Sequence, residues 1–235
     1  MRLDKFLSVT GSATRSESAK AARAGRITVN GISIKNAAFS VDPEHDVICL
    51  DGVNIVYRKY TYIMLNKPEG YVSATEDGRD PTVLELLPEQ LQKLSLFPCG
   101  RLDKNTVGLM LITDNGELAH RMLSPKRHVE KKYRFECRYP ITDVERIEIE
   151  NGIRLADGYL TKPAQLYLDE GRTSGLITLH EGKYHQIKRM FGAVNDNRII
   201  YLERISFGPL VLDMKLLRGE WRYLTEEEIS SIELL

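Results

Sequence analysis

The first 25 residues carry the apolar spacing and the terminal signals of helices. Apolar side chains between Leu3 and Leu7 recur at intervals of three and four residues, which is typical of one helix face. Thr14, followed three residues later by Glu17, has the spacing of a capping box, in which each residue binds an unpaired amide at the helix start. The pattern therefore predicts helix up to about Ala24, with Gly25 as its stop.

The pattern then changes to short β-branched runs separated by turns. Residues 27–29 and 32–34 flank Asn30-Gly31, a dipeptide that favours a two-residue hairpin because both positions need a positive φ. A further short strand precedes the turn Asp51-Gly52. These elements predict a small α+β module over residues 1–58, followed by a short linker.

From residue 62 onward, alternating or fully apolar runs are interrupted by helix signals. Strands are predicted over residues 62–66, 109–113, 133–139, 160–168, 174–180 and 199–207. Helices are predicted from the capping signals at residues 114–117, 142–145 and 225–228, and over residues 184–194. This succession is typical of an α+β domain with a large mixed, mostly antiparallel sheet flanked by helices, which we assign to residues 60–235.

The composition limits the class of protein. The chain has 235 residues, of which 42% are hydrophobic and 28% charged, as expected for soluble globular domains. No apolar run approaches the roughly 20 residues that span a bilayer, and the N-terminus lacks the apolar segment of a secretory signal. We therefore expect a cytoplasmic protein without a membrane partner. Three widely separated cysteines are typical of buried reduced thiols.

The charge is unevenly distributed. The formal net charge is zero, which by itself argues against a nucleic-acid partner. Residues 1–35 nevertheless contain seven Lys or Arg against two acidic residues, and residues 121–138 contain the same numbers. The tail from residue 220 to 235 contains five acidic residues against one Arg. Basic segments balanced by acid elsewhere are typical of a protein that contacts phosphate on selected surfaces.

The sequence contains none of the common metal or nucleotide motifs. The five histidines form neither an HExxH motif nor a cluster with cysteine. There is no GxxxxGK[ST], no GxGxxG after a strand and no GxSxG elbow. We therefore expect neither a metal nor a cofactor.

Three polar segments remain as candidates for chemistry: Arg101 to Asp103, Lys131 to Tyr133, and Glu181 to Met190. Taken singly, each has an ordinary structural interpretation. Asp103 is typical of a turn, Tyr133 of a strand, and the Lys188-Arg189 pair of a solvated helix face. The residues alone leave both interpretations open.

Together, the segments resemble the pseudouridine synthases, and most closely the bacterial branch that modifies ribosomal RNA. The stretches that carry the resemblance are GRLDKNTVGLMLITDNG, LNKPEGYVSA, SPKRHVEKKY and EGKYHQIKRMF. The details MRLDKF, NAAFSVDPEHDV and TKPA resemble the members that act on small-subunit (16S) rRNA. Residues 1–58, through AGRITVNG, resemble the RNA-binding domain named after small-subunit ribosomal protein four. The resemblance covers practically the whole chain.

The resemblance implies a role for each residue of the central set. Asp103 matches the catalytic aspartate, and Tyr133 the tyrosine that stacks on the target base. Lys188 matches a basic position that pairs with the aspartate; many members carry Arg there, so the bidentate fork is lost while the charge is kept. Ile187 matches an apolar wall of the base pocket. Arg101 is implied to contact the substrate, and Gly100 and Gly108 suggest hinges of a catalytic loop.

The implied substrate is a uridine of 16S rRNA, free or within a partly assembled subunit, acted on by a monomer. A base in folded RNA must be extruded before its glycosidic bond is reached, at a cost of a few kcal/mol, and basic residues would hold the backbone meanwhile. The residues expected to contact RNA are Arg2, Lys5, Arg15, Lys20, Arg23, Arg26, Lys126, Arg127 and Arg189. The alternatives are a 23S rRNA pseudouridine synthase and a non-catalytic rRNA-binding assembly factor.

Overall fold

The structure is a computed structural model that describes all 235 residues of the chain. The chain forms two compact units. The first consists of residues 1–61 together with residues 87–96, and the second of residues 62–86 and 97–235. Residues 87–96 therefore interrupt the second unit along the chain but pack with the first unit. The pattern of the sequence does not indicate this.

The first unit packs three helices with a four-stranded antiparallel sheet in the order β2-β1-β3-β4. Its core is a single apolar cluster that includes Leu3, Phe6 and Ile27. Its elements are α1 (Leu3–Val9), α2 (Arg15–Arg23), β1 (Ile27–Val29), β2 (Ile32–Ser33), β3 (Ile48–Leu50), β4 (Val53–Asn54) and α3 (Glu89–Gln92).

Local chemistry explains where these elements begin and end. The Thr14 hydroxyl accepts from the backbone N–H of Glu17 while the Glu17 carboxylate accepts from Thr14, so the predicted capping box is present. Gly25 follows α2 with φ +71°, a conformation that glycine adopts without steric cost. Asn30 and Gly31 both have positive φ, as the hairpin between β1 and β2 requires.

The second unit is built on a nine-stranded mixed sheet in the order β13-β5-β7-β11-β8-β10-β9, with β6 paired to β7 and β12 paired to β11. Only β7 and β11 run parallel, so the sheet is mostly antiparallel, as predicted. Its strands are β5 (Tyr62–Lys67), β6 (Phe97–Cys99), β7 (Val107–Thr113), β8 (Lys131–Cys137), β9 (Gln165–Leu168), β10 (Ser174–Leu179), β11 (Ile199–Phe207), β12 (Leu210–Val211) and β13 (Trp221–Tyr223). Its helices are a 3₁₀ turn (Val83–Leu86), α4 (Gly116–Leu123), α5 (Asp143–Asn151), α6 (Gln186–Ala193) and α7 (Glu226–Glu233).

The centre of this sheet is rigid because β5 and β7 are buried along their whole length. β8, in contrast, alternates buried and more exposed positions, so it has one face toward the interior and one toward solvent. The loop of residues 100–106 connects β6 to β7. Its two ends are therefore fixed on adjacent, paired strands.

Several predicted boundaries are wrong by a few residues. Helix α6 begins at Gln186 rather than residue 184, because His185 adopts a left-handed conformation with φ +49°. The strand predicted over residues 160–168 covers only β9, because residues 161 and 164 hydrogen bond to Ile153 and Glu150 instead of a strand. At α4 the capping residue is Asn115, whose side chain accepts from the N–H of Leu118.

Gly108 is not a hinge but a point of close approach inside β7. Its φ is +99°, and a Cβ on it would collide with the backbone of Arg204 on the parallel neighbour β11. Glycine is therefore required here by packing between two central strands. Gly100 does have a positive φ, +84°, at the start of the loop.

Candidate functional site

A cavity of about 600 Å³ lies in the second unit, above the interior face of the central sheet. Its wall is formed by the loop after β6, by β8 and β11, and by residues 181–188 at the start of α6. All three polar segments singled out in the sequence contribute side chains to it, although they are far apart along the chain.

Asp103 lies in the loop with its carboxylate at the cavity. Its Oδ2 accepts a hydrogen bond from Nζ of Lys188 at 2.7 Å, and its Oδ1 lies 3.4 Å from Nε2 of His185. The side chain is 23% exposed, so one part is held by the protein and another faces the open cavity. Lys188 also donates to Oδ1 of Asn105 at 2.5 Å, which fixes the ammonium between two residues of the same loop.

A buried lysine on β5 binds the backbone of this loop. Lys67, the last residue of β5, is fully buried, and its Nζ lies within 3.3 Å of the carbonyl oxygens of Pro68, Asp103, Lys104 and Thr106. Burial lowers the pKa of Lys67 to about 8, although the Asp103 carboxylate acts in the opposite direction. The Ser73 hydroxyl adds hydrogen bonds to both the N–H and the carbonyl of Leu102. The position of Asp103 is therefore determined by several independent contacts.

The segment that carries Lys188 is positioned by Glu181. This buried carboxylate accepts hydrogen bonds from the Tyr159 hydroxyl at 2.6 Å, the backbone N–H of Lys162 at 2.9 Å and Nε2 of Gln186 at 2.6 Å. Because Gln186 is the first residue of α6, these contacts fix the start of the helix that presents Lys188 one half-turn later.

Tyr133 and Ile187 supply the apolar part of the cavity wall. Tyr133 lies on the interior face of β8 and is 8% exposed, and Ile187 on α6 is 4% exposed. The ring of Tyr133 offers a flat surface on which an aromatic ligand can stack. The sequence prediction that these two residues share a cavity with Asp103 and Lys188 agrees with the geometry.

Two further cations line the same cavity and form no ion pair with a carboxylate. Arg204 on β11 is 1% exposed, and Lys131 on β8 is 8% exposed. Arg204 donates from Nε to the carbonyl of Leu109 at 2.8 Å, and its guanidinium lies 4.9 Å from the centroid of the Phe207 ring. Lys131 donates to the carbonyl of Val129 at 3.1 Å. Burial, together with the nearby Arg204 charge, lowers the pKa of Lys131 to about 8.

The basic residues predicted to contact RNA are at the surface, but only some are unpaired. Three of them form ion pairs within the chain: Arg2 with Asp4, Arg26 with Asp51, and Arg189 with Asp157. Those that are exposed and form no ion pair are Arg101, Lys5, Arg15, Lys20, Arg23, Lys126 and Arg127. Of the whole set only Arg101 borders the cavity.

Sequence reasoning missed Lys67 and Arg204, and it gave no individual role to Lys131, Glu181 and His185, which lie within the candidate segments. Lys67, Glu181 and His185 lie inside the motifs that carried the resemblance, so that signal was present. Arg204 lies in an apolar strand, where a single Arg resembles an outward-facing residue. Only the register of β11 with β8, which pairs Arg204 with Tyr133, brings it to the cavity.

The arrangement combines a fixed carboxylate, a paired ammonium, a stacking surface and buried positive charge. Such a site can hold a flat heterocycle while a carboxylate acts as a nucleophile or a base. No group of three or more His, Cys, Asp or Glu side chains is arranged to hold a metal ion. None of the helices combines the length and the apolar character needed to cross a membrane.

Comparisons with known proteins place these features in context. A family model described as RNA pseudouridylate synthase matches residues 61–193, and one described as S4 domain matches residues 1–48. The chain is 43% identical over 232 residues to the RNA pseudouridine synthase YtzG of Bacillus subtilis, covering 97% of each chain.

Similarity at the same level extends to relatives with a more specific name. The chain is 43% identical over 234 residues to ribosomal small subunit pseudouridine synthase A of Escherichia coli, covering 99% of this chain and 100% of the relative. It is 45% identical over 235 residues to the protein of the same name from Yersinia pestis, covering 99% and 98%. A crystal structure of a pseudouridylate synthase matches with a TM-score of 0.69 and 36% identity, covering 99% of both chains.

Proposed function

The chain belongs to the RNA pseudouridine synthase family, and on this premise we propose that it converts one uridine of 16S ribosomal RNA to pseudouridine, with Asp103 as the essential carboxylate. The observation that carries the assignment of Asp103 is its hydrogen bond with Lys188 at the edge of a cavity walled by Tyr133 and Ile187. The choice of 16S rRNA is supported by the relatives named ribosomal small subunit pseudouridine synthase A.

The reaction breaks the bond between a uracil nitrogen and the sugar, turns the ring and rejoins it through carbon 5. A carboxylate beside the sugar can act as a nucleophile or remove a proton. The hydrogen bonds from Lys67 to the loop backbone and from Lys188 to the carboxylate fix Asp103, so little reorganisation is needed when the substrate enters. The overall change is an isomerisation, with no net oxidation and no group supplied from outside.

The other residues of the cavity take complementary roles. Tyr133 stacks on the extruded base, and Ile187 closes the opposite apolar side. Arg101, exposed at the rim and without an ion pair, contacts the substrate where the base leaves its helix. The basic residues farther from the cavity hold phosphates, which adds affinity without reading sequence.

Replacing Asp103 tests the catalytic assignment. Asp103→Asn should abolish pseudouridine formation while sparing RNA binding, because the amide keeps the shape but is neither nucleophilic nor basic. Asp143→Asn, at an exposed position on α5, is the matched control and should keep the full rate. Pseudouridine is mapped by carbodiimide treatment and primer extension. Full activity of Asp103→Asn would rule out the proposed mechanism.

The identity of the substrate is tested in cells. A strain that lacks this gene should lose one pseudouridine from 16S rRNA and none from 23S rRNA, with the site restored by the wild-type gene. Loss from 23S rRNA would instead assign the chain to the large-subunit enzymes. An unchanged map in both RNAs would favour a non-catalytic assembly factor.

The basic face of the first unit is the proposed RNA anchor, with Arg15, Lys20 and Arg23 exposed and unpaired on or beside α2. Because residues 87–96 pack with the first unit, point variants test this more cleanly than removal of residues 1–58. Changing these three residues to Gln should weaken rRNA binding and reduce the slope of log affinity against log salt by up to about 3. An unchanged affinity and slope would show that the face is only solvated.

A further inference from the structure

Lys131 and Arg204 form a pair of buried cations that the proposed roles above leave unused. Both line the cavity, both are less than a tenth exposed, and neither forms an ion pair; the buried Glu181 carboxylate acts on Lys131 only from beyond ion-pair distance. Buried charges in proteins are normally paired, because removing an ion from water costs several kcal/mol. Two cations without an ion pair at the wall of a cavity therefore indicate that the cavity binds an anion.

The register of the sheet shows where this anion would lie. Arg204 is directly opposite Tyr133 on the neighbouring strands β11 and β8, and Lys131 lies two residues before Tyr133 on the same interior face. The two cations therefore flank the ring of Tyr133 on the sheet rather than the rim of the cavity. Arg204 uses Nε for the Leu109 carbonyl and has only a 3.9 Å contact from Nη2 to the Met110 sulfur. Its terminal nitrogens thus keep donor capacity.

We propose that Arg204, supported by the charge of Lys131, binds an exocyclic oxygen of the uracil ring and stabilises the base as an anion after its bond to the sugar has broken. This inference rests on the proposed function and names a further catalytic residue for it. Arg204 would touch the base directly, whereas Lys131 acts as a neighbouring charge.

The electron count of the reaction shows why such a site would be useful. When the bond between carbon 1′ and N1 breaks, its electron pair stays on the base, and the negative charge spreads to the two ring carbonyl oxygens. The sugar is compensated meanwhile by Asp103, which either bonds to carbon 1′ or takes a proton from the sugar, and this is reversed when carbon 5 bonds to carbon 1′. The proton on carbon 5 then passes to solvent, and N1 takes up a proton from solvent. The base is therefore anionic while it turns, whether Asp103 attacks the sugar or removes a proton from it. Fixed donors in a water-poor site stabilise such charge strongly.

A backbone phosphate is the other anion that the RNA could offer. Phosphates of a bound strand remain at the rim, where exposed cations such as Arg101 are available. Arg204 is almost fully enclosed and lies beside the predicted stacking surface, which fits a planar base better than a hydrated phosphate. Experiment separates the two, because loss of a phosphate contact lowers the salt dependence of binding by about one unit of slope.

The first measurement is the single-turnover rate at saturating enzyme. Arg204→Met should lower this rate on the order of 100-fold, as for loss of one oxyanion donor. Arg204→Lys keeps the charge and should be at least about tenfold faster than Arg204→Met. Lys131→Met should lower the rate about tenfold by removing the neighbouring charge. Lys132→Met, one residue along β8 on the other face, is the matched control and should stay within about threefold of wild type.

Binding to 16S rRNA distinguishes the source of the anion. Affinity and its salt slope should be the same for Arg204→Met and wild type if the ligand is the base. A slope smaller by about one would assign Arg204 to a phosphate and overturn the proposal.

Substitution in the substrate distinguishes charge stabilisation from a structural role. RNA with 5-fluorouridine gives a more stable base anion, because fluorine withdraws electrons. The factor by which Arg204→Met slows glycosidic cleavage should therefore be at least about tenfold smaller on this RNA than on RNA with uridine. An equal loss on both RNAs would mean that Arg204 only shapes the cavity. If Arg204→Met does not fold, Lys131→Met decides, and a wild-type rate for that variant overturns the proposal. A wild-type enzyme that forms no pseudouridine would refute the proposed function itself.

Discussion

Two arginines of the same domain show opposite solutions to the burial of a guanidinium. Arg222, on the edge strand β13, donates to Asp213 at 2.7 Å and to both oxygens of Glu228 at 2.7 and 2.8 Å. The Glu228 carboxylate in particular raises the pKa of Arg222 above its usual value. Arg204, in the central strand β11, is more deeply buried and forms no ion pair with a carboxylate; its Nε donates to the Leu109 carbonyl instead.

The difference separates a structural cation from one kept for a ligand. Arg222 joins β13, the turn at Asp213 and the start of α7, so its charge is neutralised by the elements it holds together. Arg204 gains a hydrogen bond to the Leu109 carbonyl, a 3.9 Å contact with the Met110 sulfur and contact with the Phe207 ring, which do not replace the hydration it loses. A domain that keeps such a residue sacrifices stability at that position, as functional sites commonly do.

The largest effect on stability is expected at Gly108 of β7, which packs against the backbone of Arg204. Gly108→Ala should lower the free energy of unfolding by about 3 kcal/mol, because the new methyl group meets the Arg204 backbone and φ is +99°. Gly158→Ala has a similar φ of +85° but open space around it, so it should cost only about 1 kcal/mol. Urea unfolding measures both. Equal losses would mean that strain in φ, rather than contact between β7 and β11, determines the cost.

Removing the paired arginine should be the next largest effect. Arg222→Met leaves Asp213 and Glu228 without their partner, and we expect a loss of about 2.5 kcal/mol, reduced from that of a fully buried pair because the side chains are about a quarter exposed. The rate of the folded enzyme should not change. A variant as stable as wild type would show that the two carboxylates are satisfied by solvent.

The same substitution at Arg204, which forms no ion pair, should raise the free energy of unfolding rather than lower it. Arg204→Met removes a buried charge without leaving an unpaired carboxylate, so stability should rise by about 1.5 kcal/mol, even after loss of the hydrogen bond to Leu109. The gain would accompany the loss of rate predicted above. If unfolding shows a loss comparable to that of Arg222→Met, the contrast between the two arginines fails, and Arg204 is primarily structural.

The two arginines also show what a sequence can and cannot predict. The cap of α7 at Thr225 and Glu228 was predicted correctly because a capping box depends on residues three positions apart. The grouping of Asp103 with Lys188 was predicted only through resemblance, since 85 residues separate them. Strand β6 was missed because it contains Pro98, and β13 was not predicted either. Nothing local distinguishes Arg204 from Arg222, because their partners are set by the register of distant strands.

The smallest expected effect is at Lys131, where the cost of burying a charge without an ion pair should appear in the pH dependence of stability. Its pKa is about 8 in the folded chain, against about 10.4 for a free side chain. Between these values the unfolded chain binds the proton and the folded chain does not, so this group's contribution to stability increases as pH rises. Below pH 8 it is charged in both states, and the full penalty of burial remains.

We therefore expect Lys131→Met to be more stable than wild type at pH 7, with an advantage that shrinks by about 1 kcal/mol between pH 7 and pH 9. Lys132→Met is the control, because it removes the same charge from a half-exposed side chain on the other face of β8, near Glu130. Urea unfolding at a series of pH values measures the difference. A constant or growing difference between Lys131→Met and wild type would mean that Lys131 keeps its proton through pH 9, and that its burial is compensated by contacts as effective as those of Arg222.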